Sequence, residues 1–244
     1  MKHDINIRTA LDMNEGVGAR VKRLFPISGF MNYDPFMLWD HFTIGAGSGF
    51  PTHPHRGFEA ITYLFEGSMK HEDNLGNSST VGVSGAQRFT AGRGIQHSEM
   101  PAAEGETRGI QLWINLPQRL KGIEPAYQQV EAEDLPVTVV GPVRLRTIVG
   151  EGSPLQLHTP VTYLDIKIQK GVFDVSEYFL EKRGLLFVVE GVVQVNEQPL
   201  LAGQVFFSEE NSFVSVSADK DARFMLCTGL PHHEPVRQHG SYVD

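Results

Sequence analysis

Short apolar runs with a two-residue period, rather than long helical patterns, dominate this chain of 244 residues. Each run is rich in β-branched or aromatic side chains and is bounded by Gly, Pro or Asn, which is typical of β-strands. The clearest runs are residues 60–65, 112–116, 163–168 and 184–189. Only a short stretch at residues 118–122 favours a helix. The sequence therefore predicts an all-β fold of sandwich or barrel type with few short helices.

One strand-and-turn pattern occurs twice along the chain. Residues 63–67 read Tyr-Leu-Phe-Glu-Gly, and residues 187–191 read Phe-Val-Val-Glu-Gly at an offset of 124 residues. A glycine-led stretch follows each copy, at Gly85 and at Gly203. Two copies of one β-barrel explain this pattern, and we place the domains at residues 1–130 and 131–244, with the C-terminal tail returning to the first domain.

Ten histidines stand beside a single cysteine, Cys227, which restricts the metal chemistry open to the chain. With one cysteine, neither an internal disulfide nor a thiolate zinc cluster can form, so a bound metal must use imidazole and carboxylate ligands. The net charge of −8 disfavours direct nucleic-acid binding and anionic membrane surfaces. No apolar run is long enough to span a membrane. The charged N-terminus and the lone cysteine predict a cytoplasmic protein.

Two histidines one residue apart begin the most informative segment. In an extended strand the side chains of His53 and His55 share a face, with Cα atoms roughly 6.6 Å apart. By the same parity His97 and Glu99 share a face of a second strand. If the two strands face each other, three imidazoles and one carboxylate meet at one ion. Glu59 is a rival for the carboxylate position, but it lies about 13 Å beyond His55 along a flat strand.

Three histidines and one glutamate suit a divalent first-row transition metal, namely Fe(II), Mn, Ni, Co or Cu, and neutral imidazole also suits Zn. Neither a phosphate-binding loop nor a dinucleotide fingerprint is present, so no organic cofactor is expected. The Gly-x-Ser-x-Gly turn of serine hydrolases is also missing. The spacing of these residues therefore predicts a metal site, and it leaves the choice of metal open.

At these residues the chain resembles the cupin superfamily, and specifically the pirin family. The first cupin motif corresponds to His53, His55, Glu59 and Gly67, and the second contains His97. The hairpin at residues 71–76 departs from the family's usual His-x-Asp-Ser-x-Gly pattern, away from the ligand positions. The pirin pattern matches most of the N-terminal half, at residues 34–36, 40–42, 49–59, 66–67, 90–101 and 109–113.

The resemblance implies a bicupin of two antiparallel, jelly-roll-like β-barrels with one metal site. The implied ligands are His53, His55, His97 and Glu99, and iron is the family's usual metal. Equal offsets in the second repeat lead to the positions of Glu177, Phe179, Ser215 and Ser217. We therefore expect the C-terminal domain to bind no metal. Pirin-like proteins are commonly monomers, and we expect the same here.

The resemblance also implies an activity. Similar pirins cleave the flavonol quercetin with O₂ as quercetin 2,3-dioxygenases, so a small aromatic substrate and O₂ are expected. Glu99 would be the catalytic base that accepts a substrate proton. Phe50, Phe58 and Met100 are candidate pocket walls or ordinary core residues. His71 is either a solvated side chain of its hairpin or a residue of the pocket mouth. The alternative hypothesis is an iron-containing redox sensor that binds a transcriptional or metabolic protein partner.

Overall fold

The structure is a computed structural model that describes residues 6–102 and 104–244. The N-terminal residues used to predict the compartment lie outside these ranges. The strands of the first part of the chain are β1 (Ile7–Thr9), β2 (Leu11–Glu15), β3 (Ala19–Phe25), β4 (Phe36–Ile44), β5 (Phe50–His55), β6 (Phe58–Glu66), β7 (Met69–Asp73), β8 (Ser78–Val81), β9 (Ala86–Thr90), β10 (Ile95–Pro101), β11 (Thr107–Asn115) and β12 (Ala126–Val130).

The remaining strands continue the all-β pattern. They are β13 (Val137–Val140), β14 (Val143–Val149), β15 (Val161–Ile168), β16 (Gly171–Asp174), β17 (Arg183–Glu190), β18 (Val192–Val195), β19 (Gln198–Leu201), β20 (Gln204–Ser208), β21 (Ser215–Ala218), β22 (Ala222–Gly229), β23 (Gln238–His239) and β24 (Tyr242–Val243). The helices of the described residues are two short 3₁₀ helices, Gln118–Leu120 and Ser176–Phe179. Neither has the length or hydropathy of a membrane-spanning segment.

The chain divides into two compact units. The N-terminal unit comprises Leu11–Asp134, Leu157–Thr159 and His232–Asp244. The C-terminal unit comprises the described residues 6–10, together with Leu135–Gln156 and Pro160–Pro231. Residues 6–10 thus belong to the C-terminal unit, whereas the sequence predicts a first domain of residues 1–130. The tail belongs to the N-terminal unit.

Within the described residues, each unit contains one seven-stranded and one four-stranded antiparallel sheet. In the N-terminal unit the strand orders are β12-β9-β6-β11-β4-β3-β2 and β5-β10-β7-β8. In the C-terminal unit they are β1-β20-β17-β22-β15-β14-β13 and β16-β21-β18-β19. The strand orders of the two units correspond strand for strand. The edge position that β12 takes in the N-terminal unit is taken by β1 in the C-terminal unit. The all-β bicupin fold predicted from the sequence is confirmed.

The repeated Glu-Gly turn has a steric cause. Strands β6 and β17, which carry the two copies, occupy the same position in their sheets and end at Glu66 and Glu190. Gly67 and Gly191 then adopt φ values of +73° and +78°, in the left-handed region that favours glycine. A Cβ atom on Gly67 would lie 2.6 Å from the Thr107 hydroxyl oxygen. Each copy therefore needs glycine at this turn.

Equal offsets do not locate the corresponding positions in the second repeat. Ser215 and Ser217 lie on β21, the counterpart of β10, but on its other face. Val216 is opposite Val195 as Glu99 is opposite His71, so an apolar residue takes the position of Glu99. Glu177 and Phe179 do not lie on β16, the counterpart of β5, but in the second 3₁₀ helix. The reason is that residues 175–182 separate β16 from β17, whereas only residues 56–57 separate β5 from β6. The offset therefore changes between the two strands.

A row of polar side chains crosses one face of the seven-stranded sheet in the N-terminal unit. Cross-strand neighbours along this polar row are Arg23, Asp40, Gln111, Thr62 and Gln87, on β3, β4, β11, β6 and β9. All except Gln111 are buried. The row has apolar residues on either side of it in each strand.

Two apolar clusters flank this row. On β4, Leu38 belongs to one cluster and Phe42 to the other, each two residues from Asp40. On β6, Ala60 and Leu64 flank Thr62 in the same way. Because side chains alternate along a strand, one polar residue between two apolar ones on each strand leaves a polar band through an apolar interior.

Candidate metal centre

Three histidines from two paired strands converge in the N-terminal unit. His53 and His97 are directly opposite each other in the antiparallel pair of β5 and β10, and His55 follows on the same face of β5. Ring centroids lie 4.5 Å apart for His53 and His55, 4.6 Å for His53 and His97, and 4.9 Å for His55 and His97. One ligand atom from each residue lies within 4.8 Å of the others. These histidines can therefore hold one metal ion.

Each of these rings has a hydrogen-bonding contact at Nδ1. His53 Nδ1 lies 2.7 Å from the Pro51 carbonyl oxygen, and His55 Nδ1 lies 3.4 Å from the Ser241 carbonyl oxygen. His97 Nδ1 lies 3.4 Å from Nδ1 of His71. Such contacts orient a metal-binding imidazole and leave its Nε2 lone pair for the ion.

The buried Nε2 atom of His97 shows that the site fits a metal. It has no hydrogen-bond partner among the described residues. An unsatisfied buried nitrogen costs free energy, and coordination to an ion would remove that cost. Burial, together with the neighbouring His97 and His53, lowers the pKa of His55 to about 3. Burial also lowers the pKa of His97. Both rings are therefore neutral near pH 7, and neutral imidazole is the form that binds metals.

Glu99 is buried on β10, two residues beyond His97, and lines a cavity of the N-terminal unit. Its Oε1 accepts hydrogen bonds from the Thr62 hydroxyl at 2.7 Å and the Gln87 amide at 2.6 Å. Its Oε2 accepts one from the Gln111 amide at 2.7 Å. The carboxylate is thus held by the polar row and is not part of the converging histidine group. Glu99 as the fourth ligand stays a prediction.

Glu59, the rival carboxylate, is held elsewhere. It is fully buried, and its Oε1 accepts a hydrogen bond from the Thr90 hydroxyl at 2.9 Å. Its Oε2 accepts from the backbone N–H groups of His158 at 2.9 Å and Thr159 at 3.3 Å. Burial raises the pKa of Glu59. The side chain thus fixes residues 157–159 to the N-terminal unit, and it is not part of the converging histidine group.

Both sequence interpretations of His71, a solvated hairpin side chain and a residue of the pocket mouth, are wrong. The side chain is fully buried on β7 and does not line the cavity. Its Nε2 lies 3.0 Å from an Asp73 carboxylate oxygen, and its ring stacks on Tyr127 with centroids 4.1 Å apart. The His-x-Asp spacing is the signal that could have revealed this pair, because alternate residues of a strand share a face.

A cavity of about 520 Å³ opens beside the histidine cluster within the N-terminal unit. His53, His55 and Glu99 line it together with apolar side chains that include Phe50 and Trp113. Phe50 is thus at the wall, as the sequence suggests. Phe58 and Met100 are not: Phe58 is buried behind the wall and stacks on Trp113 at 4.2 Å. The volume suits a small organic ligand.

The tail of the chain completes this site. Besides placing the Ser241 carbonyl at His55, the tail pairs with residues next to β5: Val243 N–H donates to the Arg56 carbonyl oxygen at 2.9 Å. The Arg56 guanidinium forms a bidentate ion pair with the Asp244 side chain. Gly57 has φ of +85°, and a Cβ there would lie 1.7 Å from the Val243 carbonyl oxygen. Only glycine allows this close approach.

A Gly57→Ala substitution is expected to displace the tail and weaken metal binding about 10-fold, because His55 loses the carbonyl that orients its ring. Competition with a chelator for Ni(II) measures the affinity, and limited proteolysis measures whether the tail detaches. Gly122→Ala is the control, since a Cβ at Gly122 meets nothing within 4 Å. Unchanged affinity together with an undisturbed tail in Gly57→Ala would contradict this account.

Solved structures share this architecture. A quercetin 2,3-dioxygenase from Acinetobacter baumannii matches with a TM-score of 0.87 and 30% identity, covering 97% of this chain and 90% of that one. A bacterial pirin from Escherichia coli in complex with nickel(II) matches with a TM-score of 0.76 and 26% identity, covering 92% of this chain and 98% of that one. Both likenesses extend over nearly the whole of this chain.

Sequence relatives give the family. Family models described as Pirin and as Pirin C-terminal cupin domain match residues 18–114 and 163–244. The human protein Pirin is 37% identical over 243 residues, covering 95% of this chain and 84% of that protein. Together with the bicupin fold and the histidine cluster, these matches show that the chain belongs to the pirin family.

Proposed function

We propose that this protein is a metal-dependent dioxygenase that cleaves a flavonol such as quercetin with O₂. The observation that carries the proposal is the cluster of His53, His55 and His97 beside an apolar-walled cavity of about 520 Å³. The similarity to a quercetin 2,3-dioxygenase at 30% identity supports it. The metal we propose is Fe(II), with Glu99 as the fourth ligand, and imidazole with carboxylate suits such an ion.

The bound metal would lower the pKa of a substrate hydroxyl and provide the electronic route between substrate and O₂. This chain's own contribution begins with Glu99. Glu99 lines the cavity, and its Oε2 accepts a single hydrogen bond, from Gln111, so one lone pair is left. The carboxylate would therefore leave the metal when it accepts the proton of the flavonol 3-hydroxyl. The donors Thr62 and Gln87 hold Oε1 and thereby keep the carboxylate in place.

The cavity wall would position the substrate. Phe42, Phe50 and Trp113 present aromatic surface to flat rings and exclude water from the reacting atoms. Charged side chains also line the cavity: Arg23 binds Asp40 through two hydrogen bonds of 2.8 and 2.6 Å and contacts Glu15 at 2.7 Å. Two carboxylates against one guanidinium favour ligands that donate hydrogen bonds, such as phenols, over ligands that carry a negative charge.

Stoichiometry tests the proposal. Iron-loaded protein is expected to consume one O₂ and release one CO for each quercetin cleaved, measured by an oxygen electrode and by CO binding to reduced haem protein. Luteolin, which lacks the 3-hydroxyl, is the matched control and is expected to give no O₂ uptake. If fully iron-loaded protein consumes no O₂ with quercetin, the proposal fails for that substrate. Iron that changes oxidation state without cleavage of quercetin is the result that the redox-sensor hypothesis predicts.

A further inference from the structure

His71 and Asp73 form a chain of contacts that ends at one of the candidate metal ligands. Both lie on β7, which pairs with β10 so that Glu99 is opposite His71 and His97 is opposite Asp73. Nδ1 of His97 lies 3.4 Å from Nδ1 of His71, and Nε2 of His71 lies 3.0 Å from Oδ2 of Asp73. The side chains of His71 and Asp73 are completely buried. No solvent therefore competes for these contacts.

Asp73 is built to be an acceptor. Its Oδ1 accepts hydrogen bonds from the backbone N–H groups of Leu75 at 2.9 Å and Asn77 at 3.0 Å. The Asn77 side-chain amide lies 2.8 Å from Oδ2. Although burial opposes ionisation, hydrogen bonds from His71 and Asn77 hold the pKa of Asp73 below its ordinary value. Asp73 is therefore a carboxylate near pH 7, and it can only accept a hydrogen bond from His71.

The direction of each hydrogen bond follows from that carboxylate. Because Asp73 accepts, the neutral form of His71 carries its proton on Nε2, which leaves a lone pair on its Nδ1. His97 must then carry its proton on Nδ1 to donate to that lone pair, and its Nε2 is left unprotonated. This is the same buried Nε2 that has no hydrogen-bond partner among the described residues. A single carboxylate thus fixes two tautomers in series.

We propose that Asp73 and His71 are positioning residues for the metal, acting through His97. They hold the His97 lone pair towards the ion and couple it to a buried negative charge. His53 and His55 lack such a carboxylate, since their Nδ1 atoms contact neutral carbonyl oxygens. Among the three histidines, His97 would therefore be the one whose ring is made more basic by a buried carboxylate. The inference rests on the proposed metal site and does not depend on the substrate.

The hydrogen bonds that run from His97 through His71 to Asp73 form a relay. Asp73→Asn gives the sharpest test because it reverses the direction of these hydrogen bonds. The backbone N–H groups of Leu75 and Asn77 retain the amide oxygen, so the new NH₂ group faces His71 and donates to its Nε2. The Asn77 side-chain amide then turns its oxygen towards the new NH₂ group. His71 then carries its proton on Nδ1, and His97 is forced to protonate Nε2, which blocks coordination. We expect the ¹⁵N NMR signals of His97 in the metal-free protein to exchange their protonated and unprotonated positions. Affinity for Ni(II) is expected to fall about 10- to 100-fold.

A second variant keeps the proposal testable if Asp73→Asn does not fold. His71→Phe retains an aromatic ring to stack on Tyr127 but removes the acceptor for His97 Nδ1, and we again expect at least about a 10-fold loss of Ni(II) affinity. Ser79→Ala is the control: it removes the hydroxyl that contacts Tyr127 at 2.7 Å and leaves the relay intact. Its His97 signals and Ni(II) affinity are expected to match the wild type.

The outcomes separate the relay from the metal site itself. Folded Asp73→Asn or His71→Phe with wild-type Ni(II) affinity would overturn the relay, and so would an unchanged His97 tautomer in Asp73→Asn. A wild-type protein that binds no Ni(II) would instead overturn the proposed metal site. A protein that binds Ni(II) normally and shows the tautomer reversal, yet leaves quercetin intact, would support the relay while rejecting the dioxygenase proposal.

Discussion

Replacing His97 by alanine is expected to lower the affinity for divalent transition metals by more than about 100-fold, beyond the range seen when only an outer partner of a ligand is lost. The substitution removes the nitrogen that faces both His53 and His55, and two neighbouring histidines of one strand remain. Metal content after loading with Fe(II) under anaerobic conditions measures the effect. O₂ uptake with quercetin should be lost in parallel.

His158→Ala is the matched control for this experiment. The His158 side chain is exposed, and its hydrogen bond to Glu59 comes from the backbone N–H, so that hydrogen bond survives the substitution. Its metal content is expected to equal that of the wild type. Unchanged metal stoichiometry in His97→Ala would refute the assignment of the site, and metal loss in His158→Ala would show that a histidine outside the cluster contributes.

Replacing Glu59 by alanine is expected to destabilise the protein by about 3 kcal/mol or more without changing its metal content. The variant leaves the backbone N–H groups of His158 and Thr159 and the Thr90 hydroxyl without their acceptor in a buried site. Each unsatisfied buried donor costs roughly 1–3 kcal/mol. Urea denaturation of the metal-free protein measures the free energy of unfolding, and metal analysis of the loaded protein measures the site.

Glu59→Gln separates the charge of Glu59 from its hydrogen bonds. The amide oxygen can still accept from the two backbone N–H groups, and the Thr90 hydroxyl can turn to accept from the amide. We expect this variant to keep most of the stability that Glu59→Ala loses. A Glu59→Ala variant that keeps its stability but loses its metal would show instead that Glu59 is a ligand.

The sequence predicts the histidine cluster well because it depends on short-range geometry. A strand alternates its faces, so the spacing of His53 and His55 places both on one side without knowledge of the fold. The repeated Glu-Gly turn is equally local, since Gly67 and Gly191 are required by backbone conformation. The two-barrel architecture follows from such local features together with the resemblance of the motifs.

The surroundings of the cluster depend on strand pairing, which the sequence alone does not reveal. Gln87, Thr62 and Gln111 are far apart in the chain and meet at Glu99 only through the order of β9, β6 and β11. The contact of His71 with His97 likewise depends on the register of β7 and β10. Counting from a repeat also fails where the connections differ in length, as Glu177 and Phe179 demonstrate.

The tail at His55 has a consequence for how the protein is made. A chain is synthesised from its N-terminus at about 5–20 residues per second, and domains generally fold as units as they emerge. The strands of the N-terminal unit are complete at Asp134 apart from the segment His232–Asp244. Roughly 110 more residues must therefore leave the ribosome before Ser241 can reach His55, which takes about 6 to 22 seconds at those rates. During this interval the tail does not yet contact the histidine cluster of the nascent N-terminal unit, so His55 lacks the carbonyl group that orients its ring.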